Sequence, residues 1–178
     1  MNLGYHAMGT NGHAFAEEIV RVCGWMYQKG FIASSEGNVS VRLESELILI
    51  TPKGVHKGFL RPEHLVVTDL DGRIMNGDHQ PSSEISLHLA VYRERSTAQA
   101  VIHAHPTTAV ACTLAHLSLA DGTLPEVITA LGAIPTVPYV TPGTPEVGTV
   151  IRPFIRHFDA VMLARHGSVT IGIDPQDA

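Results

Sequence analysis

The sequence predicts a single α/β domain built on a mixed sheet, and two observations carry that expectation. Segments with apolar residues at helical spacing alternate with short apolar or period-2 runs along the chain. Hairpin-type turn signals such as Asp71-Gly72 interrupt that alternation, so some neighbouring strands run antiparallel. A chain of 178 residues is long enough to close one domain around a sizeable core.

The elements follow in order. Residues 1–13 read as a flexible polar arm, and residues 14–178 as the domain. Ala14 to Lys29 predicts an amphipathic helix, with Val22, Cys23, Trp25 and Met26 toward the core and Gly30 as its stop. After Gly37-Asn38, the run Val39 to Leu43 alternates as a strand should. Leu47 to Thr51 predicts a second strand, running into the turn Thr51-Pro52-Lys53-Gly54. Leu65 to Asp69 predicts a third, and Asp71-Gly72 turns it into Arg73-Ile74-Met75. Pro81-Ser82-Ser83 opens a helix with Leu87, His88, Val91 and Tyr92 at helical spacing. Ala100 to His105 is a strand, and Pro106 suits the first turn of a helix reaching about His116. Val127-Ile128-Thr129 and Thr136 to Tyr139 predict short strands. Thr144-Pro145-Glu146 is an N-cap followed by proline, and Pro153 should kink or split the helix it starts. Val161 to Ala164 and Val169 to Ile173 are strands around His166-Gly167.

Composition narrows the function. The net charge is −5, with no Lys/Arg cluster, which argues against a nucleic-acid partner. No run approaches the roughly 18 apolar residues of a membrane span, and no apolar segment near the start reads as a secretory signal. Cys23 and Cys112 are the only cysteines, and they read as unpaired thiols of a cytoplasmic protein.

The chemistry concentrates in a few places. His103 and His105 stand at i and i+2, so a strand projects both to one face. His166 follows another apolar run. Three histidines with an open fourth position describe a catalytic zinc site better than a structural one. Glu84, in the first turn of a helix, can ligate a metal or leave it and act as a base; a plain dipole partner is the simpler alternative. Gly37-Asn38, Thr51 to Gly54 and Ser82-Ser83 are small or hydroxyl-bearing turns, which bind phosphate through N–H and O–H groups or serve only as turns and caps. Lys53 either reaches such a phosphate or is an ordinary turn lysine. His88 lies at i+4 from Glu84; a packed core histidine is the simpler reading, and a partner behind the site the other. Alternation turns Arg165 away from His166.

Together these motifs, in this order, resemble the class II sugar-phosphate aldolase and epimerase family: Gly37-Asn38, Thr51-Pro52-Lys53-Gly54, Ser82-Ser83-Glu84, His103-Ala104-His105-Pro106 and His166-Gly167. The resemblance spans about Ala14 to Asp174. It implies a three-layer α/β/α fold with a mostly antiparallel sheet. It implies one zinc held by His103, His105, His166 and Glu84, with Glu84 also the proton-transfer group. It implies that Gly37, Asn38, Thr51, Gly54, Ser82 and Ser83 hold the phosphate of a sugar-phosphate substrate. Relatives continue past the point matching Ala178 into a further helix, and they form homotetramers with interfacial active sites. Aldol cleavage of a ketose 1-phosphate is the first expectation. A pentulose-phosphate 4-epimerase, dehydratase or decarboxylase is the second, and a non-catalytic adducin-like domain the third. The proton-donor tyrosine of the family's aldolases has no counterpart between His105 and Tyr139.

Overall fold

A computed structural model of the chain describes residues 9–120 and 125–178. Its elements are helix α1 (Gly9–Gln28), strands β1 (Asn38–Arg42), β2 (Ile48–Ile50), β3 (Val66–Thr68) and β4 (Ile74–Asn76), and helix α2 (Ile85–Glu94). Strand β5 (Ala100–Ala104), helices α3 (Thr107–Leu114) and α4 (Pro125–Leu131), strand β6 (Thr136–Val137), helix α5 (Pro145–Ile155) and strands β7 (Ala160–Leu163) and β8 (Gly167–Gly172) follow. The eight strands form one sheet in the order β4-β3-β2-β1-β5-β8-β7-β6. Only the β6–β7 pair is parallel, and α5 is the crossover that a parallel pair requires. The expected mixed, mostly antiparallel sheet is therefore present.

Each sheet face buries its own helix layer. On one face Leu87, Ala90 and Val91 of α2 and Val147, Ile151 and Ile155 of α5 pack on Ile48, Ile50, Val101 and Val169. On the other, Ala16, Ile19, Val22, Cys23 and Met26 of α1 pack on Val39, Val41, Leu49 and Val67. Alternate residues of one strand serve the two layers, as with Ile48 and Ile50 against Leu49.

The structure departs from the expected elements at several points. Helix α1 begins at Gly9, so residues 9–13 are helical rather than an arm; residues 1–8 of that arm lie outside the described residues. Trp25 is 46% exposed, because the buried stripe runs through 16, 19, 22, 23 and 26 and leaves it at the edge. Val127-Ile128-Thr129 lies in helix α4, not in a strand. Pro125 at the helix start and Glu126 behind it outweigh the β-branched run, and the Thr129 hydroxyl donates to the Pro125 carbonyl 2.8 Å away, one turn back. Helix α5 is not split at Pro153 but runs on to Ile155; the proline forgoes one i→i−4 bond, and only two helical residues follow it.

The sheet centre positions the chemistry. Strand β5 is paired with β1 on one side and β8 on the other. Asn38 stands opposite His103 across β1–β5, and Val169 stands opposite His103 across β5–β8.

Candidate metal centre

The site forms where β5 ends. His103 is its last-but-one residue and fully buried. His105 lies just past the strand end, where its backbone N–H donates to the Phe31 carbonyl at 2.8 Å. The two Nε2 atoms lie 2.9 Å apart. His166 arrives from the β7–β8 turn, which Thr113 of α3 fastens by accepting from the Arg165 N–H at 2.9 Å. Arg165 itself is exposed and lies over the Tyr139 ring, 3.9 Å from its centroid; it sits in the turn with a positive φ of 59°, so the strand alternation expected of it does not apply.

Gly167 lets these rings meet. A Cβ there would lie 2.3 Å from the Ala104 carbonyl oxygen, 2.7 Å from His105 and 2.8 Å from His103. No larger side chain fits without moving the sheet.

Glu84 is the residue before α2 rather than in its first turn. Its N–H donates to Ser82 Oγ at 3.2 Å, which fixes the turn ahead of the helix rather than capping the helix itself. Its carboxylate points at the histidines, with Oε2 3.1 Å from His103 Nε2 and Oε1 3.2 Å from His166 Nε2. Oε2 also accepts from Asn38 Nδ2 at 3.0 Å. Oε1 is buried and has no hydrogen-bond partner.

The four side chains fit a divalent cation. Their ligand atoms all lie within 4.8 Å of one another. Bonds of about 2.0–2.1 Å in a tetrahedron put neighbouring ligands about 3.3 Å apart, close to the 2.9 Å between the His103 and His105 Nε2 atoms and the 3.2 Å between Glu84 Oε1 and His166 Nε2. His103 Nδ1 donates to the Ser168 carbonyl at 2.8 Å, because a carbonyl can only accept. That leaves the Nε2 lone pair of a neutral ring facing the centre, the arrangement typical of metal-bound histidine.

The electrostatics agree. Burial pulls the His105 ring down to about 4 and lowers His166 as well, with His103 adding to both. Burial alone would raise Glu84, but His103, His166 and the Asn38 amide outweigh it and bring it down to about 2. A carboxylate this acidic wants positive charge beside it, while burial discourages the His105 and His166 imidazoles from carrying that charge. A cation between them satisfies both demands.

A cavity of about 530 Å³ opens beside the centre. Gly37, Asn38, Lys53, Gly54, Ser82, Ser83, Glu84 and His166 all line it. Thr51 does not: it is fully buried, and its hydroxyl accepts from the Val39 N–H at 3.3 Å, so it holds β1 instead of facing a phosphate. Asn38 lines the cavity, but its side-chain amide is committed to Glu84 and His88. Pairing between loops shapes the wall: Ser82 N–H donates to the Thr51 carbonyl at 3.1 Å and Lys53 N–H to the Gln80 carbonyl at 2.9 Å.

Four contributors were not foreseen. Glu36 lines the cavity and caps its own turn, accepting from Ala33 and Ser34 N–H groups. Pro142-Gly143 closes the far wall, and a Pro-Gly dipeptide is a turn signal that could have found it. Lys57, only 2% exposed, stands behind the wall. Its Nζ donates to the carbonyls of Ser35, Pro52 and Val55 at 2.9–3.0 Å, which clamps the 34–37 loop to the 52–55 turn. No spacing in the sequence marks that lysine as buried.

Comparison with known proteins settles the family. The model of the Class II Aldolase and Adducin N-terminal domain matches residues 17–178. The chain belongs to the class II aldolase family. Relatives within it carry two activities. A 3-oxo-tetronate 4-phosphate decarboxylase of Pectobacterium atrosepticum is 34% identical over 177 residues, 94% of this chain and 80% of that protein. An L-fuculose phosphate aldolase of Methanococcus maripaludis is 34% identical over 161 residues, 90% of this chain and 86% of that protein. The solved structure of YgbL from Escherichia coli superposes with a TM-score of 0.87 at 32% identity, covering 95% of this chain and 83% of that one. This class II aldolase family member is thus an enzyme of a metal-dependent, sugar-phosphate family, and its Glu/His₃ group is the place where a metal could bind. No helix among the described residues is long and apolar enough to cross a membrane.

Proposed function

We propose that the chain is a zinc-dependent carbon–carbon lyase that decarboxylates a phosphorylated 3-oxo sugar acid, with aldol cleavage of a ketose 1-phosphate as the second reading. The observation that carries it is the convergence of Glu84, His103, His105 and His166 at one end of a cavity whose walls are phosphate-type turns.

The two substrates share one fragment. In a 3-oxo-tetronate 4-phosphate and in L-fuculose 1-phosphate alike, a phosphomethyl group joins a ketone that joins a carbinol carbon. They differ only in what leaves that carbon, a carboxylate or a hydroxyalkyl group. Breaking the bond leaves an electron pair beside the ketone in both cases, and protonation there yields the same dihydroxyacetone phosphate. His103, His105, His166 and Glu84 would hold the zinc, which supplies Lewis-acid stabilisation of the charge that develops on the ketone oxygen. The N–H and O–H groups at Gly37, Gly54, Ser82 and Ser83, with Lys53, would receive the phosphate. Glu84 would relay a proton to the carbinol carbon, taken from water in decarboxylation, which consumes one, or from the departing hydroxyl in aldol cleavage.

The proton inventory favours decarboxylation. A carboxylate is already ionised and leaves as carbon dioxide, so cleavage needs no base. Aldol cleavage must also take a proton from the departing hydroxyl, and no tyrosine lies between His105 and Tyr139 for that task. The identity to named decarboxylases, over 94% of the chain in one case, favours the same reading. The named fuculose phosphate aldolase supports the second.

The rest of the reading follows the family. A homotetramer is what the family resemblance implies, and the surface cluster of Tyr27, His56 and Phe59 offers a face that subunit contact could cover. A cytoplasmic setting is supported by the unpaired Cys23 and Cys112. The test is to measure metal content, then supply each substrate and follow the co-product. Carbon dioxide from 3-oxo-tetronate 4-phosphate supports the first reading. Lactaldehyde from L-fuculose 1-phosphate supports the second. Zinc with neither product rejects both.

A further inference from the structure

Behind Glu84 runs a buried chain of polar groups that the reaction itself does not use. Tyr92 Oη lies 2.8 Å from Ser40 Oγ, and Ser40 Oγ lies 2.6 Å from His88 Nδ1. His88 Nε2 bonds Asn38 Oδ1, and Asn38 Nδ2 reaches Glu84 Oε2 at 3.0 Å. Ser40, His88 and Tyr92 are all at most 2% exposed, so bulk solvent does not reach them.

With Glu84 ionised and burial holding His88 neutral, the donors and acceptors of this chain admit one order. An ionised carboxylate can only accept, so Asn38 must present its NH₂ to Glu84. Its carbonyl oxygen then faces His88 Nε2, which must carry a proton. A neutral His88 protonated at Nε2 has a lone pair at Nδ1, which accepts from the Ser40 hydroxyl. The Ser40 oxygen in turn accepts from Tyr92. Reversing any one link sets two donors or two acceptors face to face in the interior, at a cost of about 1–3 kcal/mol for each unsatisfied group. The strand register places the parts: Asn38 and Ser40 alternate onto the α2 face of β1, while Glu84, His88 and Tyr92 recur at i, i+4 and i+8 along α2.

We propose that His88 is a positioning residue of the metal centre: by donating from Nε2 to Asn38 it fixes the orientation of the Asn38 amide, which holds Glu84 by Oε2 and leaves Oε1 without a donor, turned to the cation. The proposal rests on the metal-centre reading above. It adds a device, seated in the core, that decides how the carboxylate is presented.

The test has two arms. In the first, imidazole ¹⁵N spectra of the wild-type protein are recorded near pH 7. His88 is expected as the neutral Nε2–H tautomer with a slowly exchanging ring proton. A ring protonated at Nδ1, or at both nitrogens, overturns the proposal whether or not metal or substrate is present. In the second, zinc affinity by chelator competition is compared for His88→Gln and His88→Asn. Glutamine keeps a donor at the reach of Nε2, while asparagine keeps only a polar group at the reach of Nδ1. His88→Gln is expected to stay within about threefold of wild type, and His88→Asn to lose about 10- to 100-fold, as partners behind metal ligands do. Turnover should follow, with kcat falling more than KM rises. Equal losses in the two variants would show that the ring only fills space. If either variant fails to fold, the tautomer decides alone. A wild-type protein that takes up no zinc would sink the metal reading and leave the tautomer result intact, so the two failures are told apart.

Discussion

Glu84 Oε2 lies 3.1 Å from His103 Nε2, joining the start of a helix to the central strand of the sheet. Removing either end should be felt at the metal. His103→Ala and His166→Ala are expected to drop bound zinc from about one per chain to near zero, read by elemental analysis of dialysed protein. Glu84→Gln keeps the shape and is expected to retain some zinc while turnover falls roughly 10²- to 10⁴-fold, the usual range for a lost proton-transfer group.

Lys57 donates to three carbonyls from beneath the cavity wall. Lys57→Met fills the space but leaves those carbonyls without their donor. Stability should fall by about 2–4 kcal/mol, a scale set by hydrogen bonds to a charged group, measured by denaturant unfolding. Because the clamp joins the loops around Gly37 and Gly54, KM for the phosphorylated substrate should rise more than kcat falls. Unchanged KM would mean that the clamp serves stability alone.

Cys23 sits on the buried face of α1, where burial pushes its thiol from 9.0 up to about 12, against the weaker pull of Lys57. At pH 8 the native thiolate is then roughly 10⁻⁴ of the total. Alkylation should modify one cysteine per folded chain, the half-buried Cys112, and both after denaturation, read by intact mass. The same shift makes stability fall between about pH 9 and 12. There the unfolded chain releases this proton while the folded chain keeps it, and the contribution is complete below pH 9.

Gly167 tolerates no side chain. Gly167→Ala should cost about 3 kcal/mol or more by overpacking against the Ala104 carbonyl, measured as a lower thermal midpoint. Its zinc affinity should drop as well, because both His103 and His105 lie in the path of the added methyl.

Much of this was legible in the sequence, for reasons that can be named. The histidine cluster that could hold a metal was readable because alternation in β5 and a glycine after His166 are local patterns. Strand runs such as Ile48–Ile50 were readable because burial on both faces selects apolar residues without interruption. Val127 to Thr129 misled because β-branched residues favour a strand, whereas the proline and glutamate ahead of them start a helix on an exposed surface where no sheet competes. Thr51 misled because a hydroxyl at a strand end can turn inward as readily as outward, and here it turns to the Val39 amide. Lys57 and the Tyr92–Ser40–His88–Asn38 chain were illegible for a different reason. Their partners lie on other elements, and only the packed sheet brings positions 40, 88 and 92 within hydrogen-bond range.

The four candidate ligands come from three distant stretches of chain, Glu84, then His103 and His105, then His166, and the last sits in the turn between the two final strands. During synthesis, a nascent chain that has not yet emitted that turn offers two imidazoles and a carboxylate, with the ring that closes the set still missing. If the group takes up a cation as proposed, capture must wait for that turn. An ion held by all four side chains would then mark a closed β7–β8 turn, and a stalled or clipped chain should give it up to the first competing chelator.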